Sequence, residues 1–360
     1  MHLRSAFGRV EVRVQYGQDP ADRHWGAPMR ERWGLCAHQQ LSPALEDKLA
    51  YFATVTGSYE AAARLAAKVG CAVEDTTIWS LVQRLGQRGE AQIQSRLKEP
   101  PVEQSPQRAP SQLAVLMLDG FQVRFRGPGW GQKKTKQPRV AWHEEKLGVF
   151  YLQEQAVRQA RGQLLEKVVV SWQGEPMELG RRLHWEALRG GLARAQEVLT
   201  VADGAPWIWN VAADRWASAH QLLDFYHASQ HLWALAEALH PKDEPARRAW
   251  VEKRLERLRH GKEQAVLREI AALPRRGGQT GKVLRREQNY FATQAGRMNY
   301  QAIADRGWPI GSGAVESACR TRQGRRKRPG QFWTQTGLRH LDVLEEARDN
   351  GHWDQLWLNA

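Results

Sequence analysis

The residues best suited to chemistry are three acidic side chains that stand far apart in the chain. Asp119 directly follows the apolar run 113–118, and Asp203 follows the short apolar run 198–202. Glu316 falls in the first turn of a predicted helix, behind a flexible Gly-Ser-Gly segment. A charged group beside a buried strand is costly unless it is paired or binds a metal ion. The three carboxylates are therefore the candidate catalytic and metal-binding residues.

Each of these acids also has an ordinary structural explanation. Glu316 would be favoured near a helix N-terminus and could pair with Arg320 four residues on. Asp119 and Gly120 could form a hairpin turn, although strand-like sequence resumes immediately afterwards. Asp203 could be a simple turn residue, because Gly204 follows it.

The strands that carry the two aspartates explain how they could meet. In the expected strand order the first and fourth core strands are neighbours, so the two carboxylates would lie together with Glu316 over them. Three carboxylates would hold two Mg²⁺ ions, with Mn²⁺ as a substitute. Such a pair activates a water or a 3′-hydroxyl and stabilises the leaving oxygen of a phosphodiester. No Cys/His set is present that would select zinc instead.

Two basic stretches are candidates for contact with a polyanion. The first lies in the Gly- and Lys-rich loop 126–139, and the second follows Glu316 in the stretch 307–328. The alternatives are a solvated hairpin tip and a solvated basic helix face. The candidate DNA-binding cations are Lys133, Lys134, Lys136, Arg320, Arg322, Arg325, Arg326, Lys327 and Arg328.

Composition favours a nucleic-acid partner. The 360 residues carry a formal net charge of +14, with a pI near 10.0, which suits a polyanion. No apolar run approaches the roughly 20 residues that a membrane span requires, and the N-terminus lacks an apolar signal core. Three scattered cysteines, Cys36, Cys71 and Cys319, form no disulfide framework or metal finger. A reducing cytoplasm is therefore expected.

The N-terminal third predicts a small helical domain. Residues 1–40 are expected to be irregular, with a short strand at 11–16. Cap signals at Ser42 and Ser58 and a stop at Gly70 predict two helices, and a third is expected at 76–85. This layout matches a helix-turn-helix over 41–96, with Thr76, Thr77, Ser80 and Gln83 on the exposed side of the reading helix. The alternative is a generic helical bundle. A Pro-, Gln- and Ser-rich linker follows at 97–112.

Residues 113–227 and 307–350 predict an α/β core. Five strand-like runs are interrupted by helices, at 113–118, 140–153, 166–172, 198–202 and 222–225. The stretch 228–306 is helical in pattern and is interpreted as an all-α insertion, and 351–360 is a tail. Asp224 and His227 stand three residues apart where the fifth strand runs into a helix, and read as a helix cap and a core histidine.

Four segments together resemble bacterial insertion-sequence transposases of the Mutator-like DDE type. They are LMLDGFQVRF, VADGAPWIW, LLDFYH and GWPIGSGAVESACR. The resemblance covers about 113–350, and residues 42–66 also resemble the DNA-binding region of that family. It implies an RNase H-like mixed five-stranded sheet with Asp119, Asp203 and Glu316 as the metal ligands. It also places Asp224 and His227 near the pocket.

The resemblance implies an enzyme that binds the inverted-repeat ends of an element, cuts them, and joins the 3′-hydroxyl to target DNA. Its partners would be double-stranded DNA and further copies of itself, as a dimer or larger synaptic assembly, in the nucleoid of a bacterial cytoplasm. Two alternatives stay open. One is an RNase H-like nuclease or resolvase that does not rejoin DNA, and the other is a transposase-derived DNA-binding protein without catalysis.

Overall fold

The computed structural model describes residues 2–18, 23–33, 35, 40–99, 113–154 and 163–357. The chain divides into two compact units. The first comprises Met1–Glu99, Val123–His143 and Thr321–Ala360, and the second comprises Pro100–Gln122 and Glu144–Arg320. Cys36, most of the predicted linker and the last three residues of the predicted tail lie outside the described residues.

Nine strands are described. They are β1 (His2–Ser5), β2 (Gly8–Glu11), β3 (Gly17–Gln18), β4 (Trp25–Gly26), β5 (Leu113–Arg126), β6 (Val140–Glu154), β7 (Gln163–Trp172), β8 (Glu197–Ala202) and β9 (His220–Leu223).

Thirteen α-helices are described. They are α1 (Pro28–Arg32), α2 (Pro43–Val55), α3 (Tyr59–Lys68), α4 (Asp75–Arg96), α5 (Pro176–Arg189), α6 (Pro206–Arg215), α7 (Phe225–Leu239), α8 (Glu244–Arg259), α9 (Glu263–Ala271), α10 (Gly278–Gln294), α11 (Tyr300–Asp305), α12 (Gly313–Arg326) and α13 (Gln335–Asp349).

A five-stranded mixed sheet positions the candidate site. Its strand order is β7-β6-β5-β8-β9, so the first and fourth core strands are neighbours, as predicted. Strand β5 runs parallel to β8, with Leu118 opposite Ala202, and β8 runs parallel to β9. Strands β6 and β7 are antiparallel. The mixed α/β class predicted for this part of the chain is confirmed.

Alternating apolar residues explain how one face of this sheet is covered. Ala114, Leu116 and Leu118 of β5 belong to one buried cluster, which also contains Leu183 of α5 and Ile208 of α6. Side chains two residues apart on a strand point to the same face. Helices α5 and α6 therefore cover that face.

The first 40 residues contain more regular structure than predicted. Strands β1 and β2 form an antiparallel hairpin, and β3 pairs with β4. The strand predicted at 11–16 is wrong, because β2 ends at Glu11 and the next five residues are not in a strand.

The helices of the first unit follow their cap signals. The Ser42 hydroxyl accepts a hydrogen bond from the Leu45 N–H, and the Ser58 hydroxyl accepts one from the Ala61 N–H. Helix α4 continues to Arg96, beyond the predicted end at residue 85. Its later part lies directly against α13, because a side chain added at Gly86 would meet His340, and one at Gly89 would meet Val343.

The regular structure in the predicted all-α block is helical, with short connections between the helices. Helices α7 to α11 follow one another from Phe225 to Asp305. Helix α10 ends at Gln294, and the 3-10 turn Ala295–Arg297 separates it from α11. Among the described residues, no helix is both long enough and apolar enough to cross a membrane.

Candidate active site

Asp119 lies within β5, not in a turn. The strand continues from Leu113 to Arg126 through this residue, so the hairpin alternative is wrong. Its carboxylate accepts a hydrogen bond from the Gly120 N–H at 2.6 Å. Burial raises the pKa of Asp119, and hydrogen bonds from Gly120 and from the Cys319 thiol oppose that effect. The charges of Asp203 and Glu316 raise the pKa further, so each of these two carboxylates is close enough to Asp119 to repel it.

The pairing register brings Asp203 beside Asp119. Leu118 and Ala202 are partners on the parallel strands β5 and β8, and each aspartate is the next residue in its chain. Both therefore stand at the same level of the sheet. The Asp203 carboxylate accepts the Ala205 N–H at 2.9 Å, so this residue also shapes the turn that leads into α6. A binding role is compatible with that turn, because one hydrogen bond leaves most acceptor positions of a carboxylate open.

Helix α10 holds the Asp203–Gly204 turn from outside the sheet. The Tyr290 hydroxyl donates to the Asp203 carbonyl oxygen at 2.7 Å, and the Gln294 amide donates to the Gly204 carbonyl oxygen at 3.0 Å. Gly204 has φ +97°, and a side chain there would meet the Tyr290 hydroxyl oxygen at 3.0 Å. Two donors from one helix therefore fix the backbone that carries Asp203.

His231 and Glu287 support Tyr290 in turn. The Tyr290 ring stacks on the His231 ring with centroids 3.6 Å apart, and His231 is paired with the buried Glu287. Burial raises the pKa of Tyr290, and the charges of Asp203, Asp224 and Glu287 act in the same direction. The hydroxyl consequently stays protonated and remains a donor to the turn.

Glu316 is exposed and is oriented by its own helix entry. Its carboxylate accepts the Ser312 hydroxyl at 2.9 Å. The Ser312 backbone N–H donates to the Asp224 carboxylate, whose other oxygen accepts the His227 N–H at 2.6 Å. Asp224 is only 1% exposed, so its two oxygens hold backbone groups at the starts of α7 and α12.

Asp224 therefore caps α7, as one of the two sequence interpretations predicted. It also ties that helix to the segment that presents Glu316. The His227 ring lies 4.9 Å from the His231 ring and 6.3 Å from Tyr290, measured between centroids. His227 thus borders the group that supports the Asp203 turn.

The donor chemistry of the three carboxylates suits a hard cation. They supply oxygen ligands only, and a divalent cation beside them would offset the repulsion that Asp203 and Glu316 exert on Asp119. Within the described residues, however, no group of three or more His, Cys, Asp or Glu side chains is arranged to hold a metal ion. The two-metal site stays a prediction.

The basic stretch of α12 is not the continuous exposed track that the sequence suggested. Arg322, Arg325 and Arg326 are 2%, 5% and 1% exposed. Arg322 pairs with Glu345 and Asp349, and Arg326 pairs with Asp342 and Glu345. These two guanidinium groups bind carboxylates of α13 because burial requires a partner for each charge.

Arg325 is buried in a different way. Its guanidinium donates to the carbonyl oxygens of Ala53 and Thr56 at the end of α2. Neither a phosphate track nor a solvated face describes Arg322, Arg325 and Arg326. Among the nine candidate DNA-binding cations, the exposed ones are Lys133, Lys134, Lys136, Arg320, Lys327 and Arg328.

The four proposed reading residues of α4 are not equally accessible. Thr76 and Ser80 are exposed, and Thr77 is half-buried. Gln83 faces α13, where its side-chain oxygen lies 2.9 Å from the His340 Nδ1 atom. An exposed aromatic residue, Trp79, directly precedes Ser80 in the same helix.

Sequence reasoning missed several residues that build the site. Tyr290 and Gln294 are separated from Asp203 by more than 80 residues, and nothing in their helical pattern marks them. Ser312 was seen only as part of a flexible segment, and Cys319 only as a scattered cysteine. The four-residue spacing of Ser312 and Glu316 is the one signal that could have found such a contact, because it suits a helix entry.

No protein-family model matches the chain, and no curated protein matches it. Among solved structures, one similar chain comes from a Drosophila P element transposase strand transfer complex. The two share 11% identity and a TM-score of 0.30, over 92% of this chain and 84% of the other. A similarity this low carries no argument about function.

Proposed function

We propose that the chain is a DNA transposase with an RNase H-like catalytic domain. One observation carries this proposal: Asp119 and Asp203 each directly follow one of the paired residues Leu118 and Ala202 on two adjacent parallel strands, and the charge of Glu316 acts on Asp119. The strand order β7-β6-β5-β8-β9 supports the RNase H-like assignment. The four motif segments described above supply the resemblance to Mutator-like DDE enzymes.

Asp119, Asp203 and Glu316 would hold two Mg²⁺ ions, or Mn²⁺ in their place. Bound there, the ions would activate the attacking hydroxyl and stabilise the leaving oxygen of a phosphodiester. Neighbouring side chains hold two of these carboxylates in position. Tyr290 and Gln294 fix the turn behind Asp203, and Ser312 orients the Glu316 carboxylate. Fixed ligands lower the cost of reaching the reactive geometry.

The proposed substrate is double-stranded DNA, at the inverted-repeat ends of an element and at the target. Thr76 and Ser80 of α4 are proposed to contact the ends. The exposed lysines Lys133, Lys134 and Lys136 are proposed to contact phosphates. Assembly as a dimer or larger synaptic complex in a bacterial nucleoid belongs to the same proposal.

Replacement of Asp203 tests the catalytic assignment. The substrate is a plasmid that carries the inverted repeats found in the DNA flanking the coding region. The Asp203→Asn variant should lose Mg²⁺-dependent nicking and keep end binding, because the amide preserves shape but lacks the charge. Asp214→Asn is the matched control, since Asp214 is exposed on α6 and should cut normally. Normal cutting by Asp203→Asn would remove the site assignment.

A catalytically silent DNA-binding protein is the second candidate. The observation that favours it is the lack, within the described residues, of a ready metal-ligating group. End binding without any Mg²⁺- or Mn²⁺-dependent nicking by the unmodified protein would establish this candidate over the first. Nicking without a joined product would instead indicate a nuclease that does not transfer strands.

A further inference from the structure

An aromatic cavity of about 410 Å³ opens on the first unit, and none of the candidate site residues lines it. Its walls come from α3, α4, the loop after β5 and the segment before α13. The residues that shape it are Tyr59, Trp79, Arg126, Trp130, Phe332 and Trp333. The volume falls in the range of sites that take small organic groups.

The rings of this cavity are partly uncovered. Trp79 is 50% exposed and Trp130 is 39% exposed, whereas Trp333 is 5% exposed. The indole N–H of Trp333 donates to the Arg326 carbonyl oxygen. Large aromatic faces left open to solvent in one place mark a binding surface more often than a core.

Two arginines flank the rings. The Arg126 guanidinium lies 5.5 Å from the Trp130 ring centroid, and the Arg124 guanidinium lies 5.3 Å from the Phe332 centroid. The ring centroids of Trp130 and Phe332 are 4.8 Å apart, and the two ring planes meet at 46°. The cavity therefore offers flat π-faces with fixed positive charge beside them.

The occupant must match both features. It needs a flat ring to stack on Trp130 or Trp79, and an anionic group close by for the exposed Arg126. Lys133, Lys134 and Lys136 lie in the same loop as Trp130, and the whole chain carries a net charge of +14. A nucleobase on its phosphate backbone has both features in one molecule. A base inside a duplex cannot enter such a cavity, so the base must be unpaired.

We infer that this cavity binds one unpaired nucleobase of a DNA strand. The base stacks on Trp130 and Trp79, and Arg126 contacts the neighbouring phosphate. The choice of DNA rests on the proposed function. The stacking argument rests only on the cavity.

A binding comparison in EDTA tests the inference without any catalysis. Two labelled strands of equal length are used, an oligothymidylate and an abasic strand with the same phosphates. The unmodified protein should bind the oligothymidylate about tenfold to a hundredfold more tightly, the range expected for base–aromatic stacking. Equal affinity for the two strands would overturn the inference without the use of any variant.

Matched variants locate the effect. Trp130→Ala should lose most of the preference for the oligothymidylate, because only Trp79 then remains to stack on the base. Trp142→Ala should keep the preference, because Trp142 is 58% exposed and lies outside the cavity. Arg126→Ala should weaken the binding of both strands by a similar factor and keep the base preference, since both strands carry the phosphates that Arg126 is proposed to contact. Thermal melts check that the variants fold. An unchanged preference in Trp130→Ala would place stacking elsewhere.

Photocrosslinking gives an independent readout. A strand with one 5-bromodeoxyuridine should crosslink to a peptide that contains Trp79, Trp130 or Phe332, and a crosslink found only in other peptides contradicts the site. The two proposals can fail separately. If the protein prefers the oligothymidylate but does not nick DNA, only the transposase assignment is contradicted. If it nicks DNA but binds both strands equally, only the proposed nucleobase site is contradicted.

Discussion

Asp203 shows how a single residue can be constrained from several directions. Its side chain accepts the Ala205 N–H, its carbonyl oxygen accepts the Tyr290 hydroxyl, and its neighbour Gly204 occupies the left-handed region. A residue other than glycine adopts that conformation at a cost. The position of the Asp203 carboxylate is therefore set by its backbone, and the backbone is set by α10.

Removal of the Tyr290 hydroxyl tests this positioning role. Tyr290→Phe keeps the ring stacked on His231 and deletes only the donor to Asp203. We expect nicking to slow by about threefold to tenfold, the effect of one lost hydrogen bond. The Mg²⁺ concentration for half-maximal nicking should rise by a similar factor, and DNA binding should not change.

Tyr300→Phe is the matched control for Tyr290→Phe. Tyr300 is buried in the same helical block, and its hydroxyl has no hydrogen-bond partner among the described residues. The same chemical change there should leave both the nicking rate and the Mg²⁺ dependence unaltered. Equal losses in the two variants would mean that packing, rather than the bond to Asp203, produces the effect.

At the scale of elements, α12 carries charge for two purposes. Glu316 in its first turn is exposed, whereas the arginines near its end are buried against α13 and α2. Glu345 of α13 receives both Arg322 and Arg326. Burial alone raises the pKa of Glu345, but the charges of Arg326 and Arg322 outweigh it and lower the pKa to about 2.

This pKa predicts how the α12–α13 contact depends on pH. A carboxyl with a lower pKa in the folded protein contributes stability above its unfolded pKa, near 4.5, and loses that contribution as the pH falls towards 2. Glu345→Gln should lower the free energy of unfolding at pH 7 by about 3 to 5 kcal/mol, because it removes the buried carboxylate that Arg322 and Arg326 share. Urea unfolding at several pH values measures both quantities.

The difference between the unmodified protein and Glu345→Gln should shrink as the pH falls from about 4.5. Glu60→Gln is the control, since Glu60 pairs with Arg64 on an exposed face of α3. Exposed pairs contribute little, so this variant should match the unmodified protein at every pH. A difference for Glu345→Gln that is constant from pH 7 to pH 3 contradicts the network.

The elements that sequence reasoning located correctly are those with strong local patterns. Asp119 and Asp203 follow apolar runs that are typical of buried strands, and Ser42 and Ser58 are local cap signals. Arg326 gave no such signal, because a run of cations has the same sequence whether it faces solvent or Asp342. Its carboxylate partner belongs to the next helix, and only tertiary packing brings the two together. The contact of Tyr290 with Asp203 was hidden for the same reason.

At the scale of the whole molecule, the net charge of +14 acts through the cations that stay exposed. Arg322, Arg325 and Arg326 are buried inside the protein and so cannot replace counterions on DNA phosphates. Lys133, Lys134 and Lys136 can, because all three are exposed in one loop. The salt dependence of DNA binding should therefore report on that loop and not on the buried arginines.

Triple replacement of Lys133, Lys134 and Lys136 by Gln tests this distribution of charge. Each phosphate contact contributes about 0.9 to the slope of log K against log salt concentration on duplex DNA. The variant should lower affinity and flatten the slope by up to about 2.7, three times that value. Fluorescence anisotropy between low and moderate salt measures the slope.

The control replaces Lys253, Lys262 and Lys282 of the helical block, which are also exposed, and removes the same charge. If both variants flatten the slope equally, the loop makes no specific contact, and the interaction depends on total charge alone.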